Sequence, residues 1–205
     1  MPDAKSRFMF SSPEQRAIGP LRCAWGPHRH GTPVDALVRP WLAAALGMPA
    51  DALPLRRDAH GRPRLEPIDA DVSWSHSGEH LLVAVGRGVQ LGADLELLRP
   101  RPRALALAER FFVPAETATL AALPAASREL AFVRLWCAKE AVLKAHGRGL
   151  SFGLHRLEFA PRDDDWALVS CDPALGKPSD WTLHAFAPMP GYLASLAWRA
   201  SPEPG

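Results

Sequence analysis

A chain of 205 residues, 47% hydrophobic and 22% charged, is long enough to bury a core without disulfide or metal staples. That balance excludes a disordered, collagen-like or disulfide-scaffold protein. The formal net charge of +2 is too mild to argue for nucleic-acid binding, and no run approaches the roughly 18 apolar residues of a membrane span.

In chain order, Met1–Ser12 carries Lys5 and Arg7 but no apolar signal core, so a soluble, cytoplasmic protein is expected. Residues 1–31 read as irregular. Thr32-Pro33 predicts an N-cap with proline at the first helical position, then a helix over Val34–Leu46 closed by Gly47. Residues 49–70 read as a proline-rich connection. Strand-like runs follow at Val72–Ser75, Leu81–Val85 and Val89–Glu96, the last two joined by Gly86-Arg87-Gly88 in a loop suited to a hairpin. Arg99-Pro100-Arg101-Pro102-Arg103 reads as a linker between halves, 1–98 and 99–205. Helical signals then run over Ala104–Phe112, Ala115–Leu123 and Ser127–His146. Strands return at Leu157–Ala160, Trp166–Cys171, Trp181–Ala187 and Tyr192–Trp198, with residues 200–205 frayed. The predicted class is α+β, with helices set against mainly antiparallel strands.

Four segments carry chemistry. In Val89–Glu96, strand alternation puts Asp94 and Glu96 on one face, roughly 7 Å apart along the backbone. Such a pair is either a solvated polar face or half of a site for a hard divalent cation. In Trp136–Lys144, Glu140 falls where the 3-4 apolar spacing of Val133, Trp136 and Leu143 calls for a leucine. A carboxylate there costs stability unless a cation or donor meets it, so a simple Glu140–Lys144 surface pair is the weaker account. The basic residues are 20 Arg and only four Lys, of which Lys139 and Lys144 lie in this helix. Ser73-Trp74-Ser75-His76-Ser77-Gly78 places hydroxyls and an imidazole at a strand-to-loop corner, fit for capping or for an anion. Arg56, Arg57, Arg62 and Arg64 form a basic loop that is either simply solvated, as most such runs are, or suited to phosphate. The motifs of serine hydrolases, Walker loops, dinucleotide folds and zinc peptidases are absent. Cys23, Cys137 and Cys171 lack metal or redox spacing and read as buried or half-buried thiols. His28 and His30 read as surface residues.

Taken in order, Gly61-Arg62-Pro63, Ser75-His76-Ser77, Gly92-Ala93-Asp94-Leu95-Glu96, Trp136–Lys144 and Gly147-Arg148-Gly149-Leu150 resemble the Sfp-type 4′-phosphopantetheinyl transferase family. The resemblance implies a monomer of two similar halves with the active site in the cleft between them. It implies transfer of the phosphopantetheine arm of coenzyme A to a carrier-protein serine, with release of 3′,5′-ADP. On that resemblance Asp94, Glu96 and Glu140 hold Mg²⁺ (or Mn²⁺), and Glu140 doubles as the base. Lys144 meets the charge developing on the pyrophosphate, Ser75 and His76 contact phosphates, and Arg62 lies near the 3′-phosphate. Arg57 joins the coenzyme-binding set, and Arg29 and His30 are loose counterparts of the family's basic residues before the first helix. Acyl or peptidyl carrier proteins are generally acidic, so Arg99, Arg101, Arg103 and Arg110 form a candidate docking rim. A non-catalytic coenzyme A or nucleotide binder, or a metal-dependent phosphoesterase on the same fold, are the competing readings.

Overall fold

The computed structural model describes residues 13–163 and 165–201. Lys5, Arg7 and residues 202–205 of the end expected to fray over 200–205 lie outside them, whereas Ala200 is not frayed but closes the last strand. The chain runs β1 (Glu14–Ile18), β2 (Leu21–Pro27), α1 (Val34–Leu46), then two-residue strands β3 (Arg56–Arg57) and β4 (Pro63–Arg64). Strands β5 (Ala70–Ser77), β6 (His80–Arg87) and β7 (Val89–Leu97) follow, then helices α2 (Ala104–Phe111), α3 (Pro114–Ala122) and α4 (Ala125–His146). Strands β8 (Leu157–Arg162), β9 (Asp165–Cys171), β10 (Thr182–Phe186) and β11 (Tyr192–Ala200) complete it. The class is α+β, with small antiparallel sheets packed by helices. Among the described residues no helix is long and apolar enough to cross a membrane.

Three expectations are corrected. Residues 1–31 are not irregular throughout, because Glu14–Ile18 and Leu21–Pro27 pair as a hairpin. Helix α1 has Pro33, not Thr32, at its cap position and no side-chain cap, although Gly47 closes it in the left-handed conformation. Gly86-Arg87-Gly88 does not form a hairpin. Strand β6 lies between β2 and β5 in a sheet ordered β1-β2-β6-β5, whereas β7 pairs with β11 in a second sheet ordered β10-β11-β7. The glycine loop carries the chain from one sheet to the other. Strand β7, from before residue 98, is therefore hydrogen-bonded to a strand from the end of the chain.

Alternation builds the layers. On one face of the first sheet Ala24, Val72, Leu81, Val83 and Val85 pack on α1. On the other, Cys23, Trp25, Leu82 and Ala84 meet Leu91, Ala93 and Leu95 of β7. The opposite face of β7, bearing Gly92, Asp94 and Glu96, turns to α4.

Two features lock this arrangement. A Cβ on Gly92 would stand 1.9 Å from the Ala141 carbonyl oxygen, so only glycine lets β7 and α4 approach this closely. Strand β5 also meets β7 edge to edge through side chains. The Leu91 N–H donates to Asp71 Oδ2 at 2.8 Å, the Ala93 N–H to Ser73 Oγ at 3.0 Å, and the Leu97 N–H to Ser77 Oγ at 3.0 Å. These rungs replace a backbone ladder and satisfy donors that are costly to bury unpaired.

Helix α4 has no single apolar stripe; Phe132, Val133, Leu135, Cys137, Ala138, Ala141 and Val142 are all buried around it. Lys139 is fully buried, 2.7 Å from Glu116, and donates to the Leu154 carbonyl at 2.9 Å and the Leu157 carbonyl at 2.5 Å. Its ammonium also lies 4.9 Å from the Phe112 ring. Of the two lysines of the motif, this one is structural. Replacing Gly92 by alanine forces the helix off the strand, and urea unfolding of Gly92→Ala should show a loss of about 3 kcal/mol or more. An unchanged midpoint would mean that the two elements separate freely.

Candidate functional site

The site forms where β5, β7 and α4 converge. Asp94 is 4% exposed, and its Oδ1 accepts from Lys144 Nζ at 2.7 Å and from Ser75 Oγ at 2.9 Å. The same ammonium donates to Ser75 Oγ at 2.8 Å, closing a triangle. Asp94 Oδ2 is buried with no hydrogen-bond partner. Lys144 thus pairs with Asp94 rather than with Glu140, one helical turn away. Burial acts to lower the Lys144 pKa, but Asp94 and Glu140 outweigh it and hold the ammonium above its ordinary value.

Glu140 is 7% exposed, and its pKa is pushed up to about 7. Loss of solvation is the largest cause, Asp94 and Glu96 add to it, and Lys144 opposes them. Burial and Asp94 also raise Glu96, against the pull of Arg101, whose Nη2 stands 2.6 Å from Glu96 Oε2. The polar face of β7 is therefore not solvated: it faces α4. Among the described residues no three His, Cys, Asp or Glu side chains converge closely enough to enclose a metal ion as they stand. The donor set nevertheless suits a hard divalent cation, since Asp94 keeps an unpartnered buried oxygen and Glu140 is a carboxylate short of positive charge.

Beside this carboxylate group opens a cleft of about 230 Å³. Arg57, His60, Gly61 and Arg62 line one side, Ser73 and Trp74 the strand wall, and Lys144, Gly147 and Arg148 the other side. Arg57 lies over the Trp74 ring at 5.3 Å and is tied to Asp35. Arg62 is 6% exposed, ion-paired with Asp71 and bonded to the Leu91 carbonyl, while its Nε and Nη1 have no partner. His76 is exposed and stacks on His28 at 4.9 Å. Its pKa is lowered, first by desolvation and then by His28 and Lys144.

Several placements differ from the sequence reading. His28 is buried, not a surface residue, because its backbone N–H bonds the Glu79 carbonyl and its ring lies against His76. Arg101 is not a free rim cation; besides Glu96 it holds Glu129 through its backbone N–H at 2.7 Å. Arg29 sits exposed in the turn before α1 and lines neither the carboxylate group nor the cleft. Cys23 and Cys137 are buried and Cys171 half-buried, all as free thiols. Burial, then Asp94, raises the Cys137 thiol well above its usual value, so it is no nucleophile. Asp71 was missed, although the alternation Asp71, Ser73, Ser75, Ser77 on one face of β5 was there to be read.

Residues 90–197 match the model of the 4′-phosphopantetheinyl transferase superfamily, and the chain belongs to that family. The 4′-phosphopantetheinyl transferase HetI of Nostoc is 32% identical over 82% of this chain and 70% of its own length. The transferase Sfp of Bacillus subtilis is 30% identical over 74% of the chain and 67% of its own. The transferase psf-1 of Bacillus pumilus is 33% identical over 58% of the chain and 51% of its own. For several such relatives the chain spans only about half of the relative's length.

A raised carboxyl pKa has a definite stability sign. In the cation-free protein Glu140 contributes fully below its ordinary value of 4.5 and loses that contribution as pH rises through about 7. Thermal melts in chelator should therefore show Glu140→Gln more stable than the parent by roughly 2–3 kcal/mol at pH 8, converging near pH 4. Equal melts at pH 8 would mean that Glu140 is not desolvated.

Proposed function

We propose that this protein transfers the 4′-phosphopantetheine arm of coenzyme A to a serine of an acyl or peptidyl carrier protein, acting as a cytoplasmic monomer. The observation that carries the reading is Asp94. One of its oxygens is saturated by Lys144 and Ser75, the other is buried and empty-handed, and Glu140 stands beside it with its charge unmet. A structural module explains none of this. Family membership supplies the reaction class, and the names of the relatives agree with it.

Asp94 and Glu140 would hold Mg²⁺ or Mn²⁺, with Glu96, paired here to Arg101, as the third carboxylate. Bound there, the cation supplies neutralisation of pyrophosphate charge. The chain's own residues do the rest. A serine hydroxyl is a weak nucleophile and needs a base at hand. Glu140, the desolvated carboxylate that feels both Asp94 and Lys144, is the candidate base. Glu140 takes the proton, directly or through a water, as the serine oxygen forms a bond to the pantetheine-side phosphorus. The pyrophosphate P–O bond breaks and the electron pair leaves on 3′,5′-ADP. Lys144 meets the charge growing on the departing bisphosphate, and Ser75 and His76 orient the phosphates. Arg57 and Arg62 flank the nucleotide in the cleft.

Arg99, Arg103 and Arg110 are exposed and, without Arg101, make up the basic rim for an acidic carrier. Reversing all three charges should lower kcat/KM at low salt about tenfold or more while leaving the affinity for coenzyme A intact. Equal efficiency of the reversed protein would remove the rim from the reading.

The direct test is intact mass of a panel of apo carrier proteins after incubation with enzyme, coenzyme A and Mg²⁺. One added phosphopantetheine, lost with chelator and reduced at least about 1000-fold in Asp94→Ala, is the expected result. Release of 3′,5′-ADP without any carrier would favour the phosphoesterase instead. Binding of coenzyme A with no turnover on any carrier would favour the non-catalytic binder.

A further inference from the structure

Of the cations paired with the carboxylates, Lys144 faces the cleft, whereas Arg101 approaches from the segment between β7 and α2. Arg101 lies five residues beyond Glu96, and its Nη2 donates to Glu96 Oε2 at 2.6 Å. The pair is shielded, with side chains 20% and 17% exposed. Arg101 Nε is buried without a hydrogen-bond partner, so this one carboxylate does not satisfy the guanidinium fork.

The backbone around Arg101 is fixed independently of that pair. Its N–H donates to Glu129 Oε2 of α4 at 2.7 Å, and its carbonyl accepts from the Ala104 N–H at 2.8 Å. Upstream, the Leu98 N–H donates to the Gly191 carbonyl at 2.8 Å. Main-chain atoms of the segment make all three bonds, and a change of the Arg101 side chain removes none of them. The guanidinium therefore reaches Glu96 from an anchored base, and the side chain alone is free to leave.

Charge explains what it does there. Burial and then Asp94 raise the Glu96 pKa, and Arg101 is the group that chiefly opposes them. Arg101 thus keeps a half-shielded carboxylate charged and in place beside Asp94. A guanidinium brings one delocalised charge, whereas a hard divalent cation brings two at a point and binds the oxygen directly. Two cations on one carboxylate repel each other, so each weakens the hold of the other.

We infer that Arg101 is a built-in counter-ion that competes with the divalent cation for Glu96, pre-positioning that carboxylate and lowering the affinity of the site for the metal. The inference rests on Asp94, Glu96 and Glu140 being the carboxylates that take the cation.

Titration of the whole protein with Mn²⁺, without coenzyme A, reads the competition from the electron-spin-resonance signal of the free ion. Arg101→Met keeps an extended side chain and removes its charge, and it should bind Mn²⁺ about fivefold tighter than the parent. Thermal melts give a second readout, because saturating Mn²⁺ should raise the melting temperature of Arg101→Met by more than it raises that of the parent. In a Glu96→Gln background the same substitution should bind Mn²⁺ no tighter. Equal or weaker binding by Arg101→Met in the parent background overturns the inference. So does a tightening that persists in Glu96→Gln, which would mark a general field effect and not a contest for one carboxylate. If the parent itself takes up no Mn²⁺, the reading of the carboxylates as a cation site fails, a result distinct from the other two.

Discussion

Strand β7 has one edge bonded to β11 and the other to side chains, and everything at the site follows from that asymmetry. A strand's N–H groups alternate between its edges, and a buried edge without acceptors costs free energy at each rung. Here Asp71, Ser73 and Ser77 provide the acceptors, three of the four alternate residues on one face of a neighbouring strand. The substitution joins two sheets that share no backbone ladder. It also leaves Ser75, the member of the series between Ser73 and Ser77, free to bond a side chain, and the side chain it meets is Asp94.

The opposite face of β7 is equally constrained. Gly92 admits α4 to near backbone contact, which brings Glu140 and Lys144 up to Asp94. Helix α4 cannot relax from that position because Lys139 and Glu116 tie its other side to the turn before α3 and to β8. Glu116 accepts from the Phe159 and Val113 N–H groups while pairing with the ammonium. A buried pair of this kind is poor evidence of net stability, since both ions lose hydration, but breaking one side leaves an unpaired charge. Its effect here is positional.

The consequence is a site held in electrostatic tension. Three carboxylates are brought near one another by packing that the rest of the fold enforces, and among the described residues Lys144 and Arg101 are the cations paired with them. Asp94 is compensated, Glu96 is compensated in part, and Glu140 is left near neutrality. Such deficits of positive charge are stabilised by a cation or by a proton, and both are what phosphoryl transfer to a hydroxyl requires. The adjacent cleft is lined by Arg57, Arg62, Arg148 and Lys144 with no carboxylate among its lining residues, although Asp35, Asp71 and Asp94 pair three of these cations from behind it.

The amino-acid sequence by itself determined the class of fold, most elements to within a few residues, and the identity of the motif side chains. Helices and strands are local, so periodicity and glycine punctuation suffice for Val34–Leu46 or for the run ending at His146. What it could not supply were the pairings. Gly86-Arg87-Gly88 has the composition of a hairpin, yet β6 pairs with β2 and β5 while β7 pairs with β11 in another sheet. The hairpin of β1 and β2 was hidden because Glu14–Ile18 is mostly exposed and lacks an apolar alternation. Lys139 and Lys144 sit five residues apart in one helix with similar local surroundings. Only tertiary packing makes the first a buried structural charge and the second the partner of Asp94, because which side of a helix faces which neighbour is decided by long-range contact and not by sequence spacing.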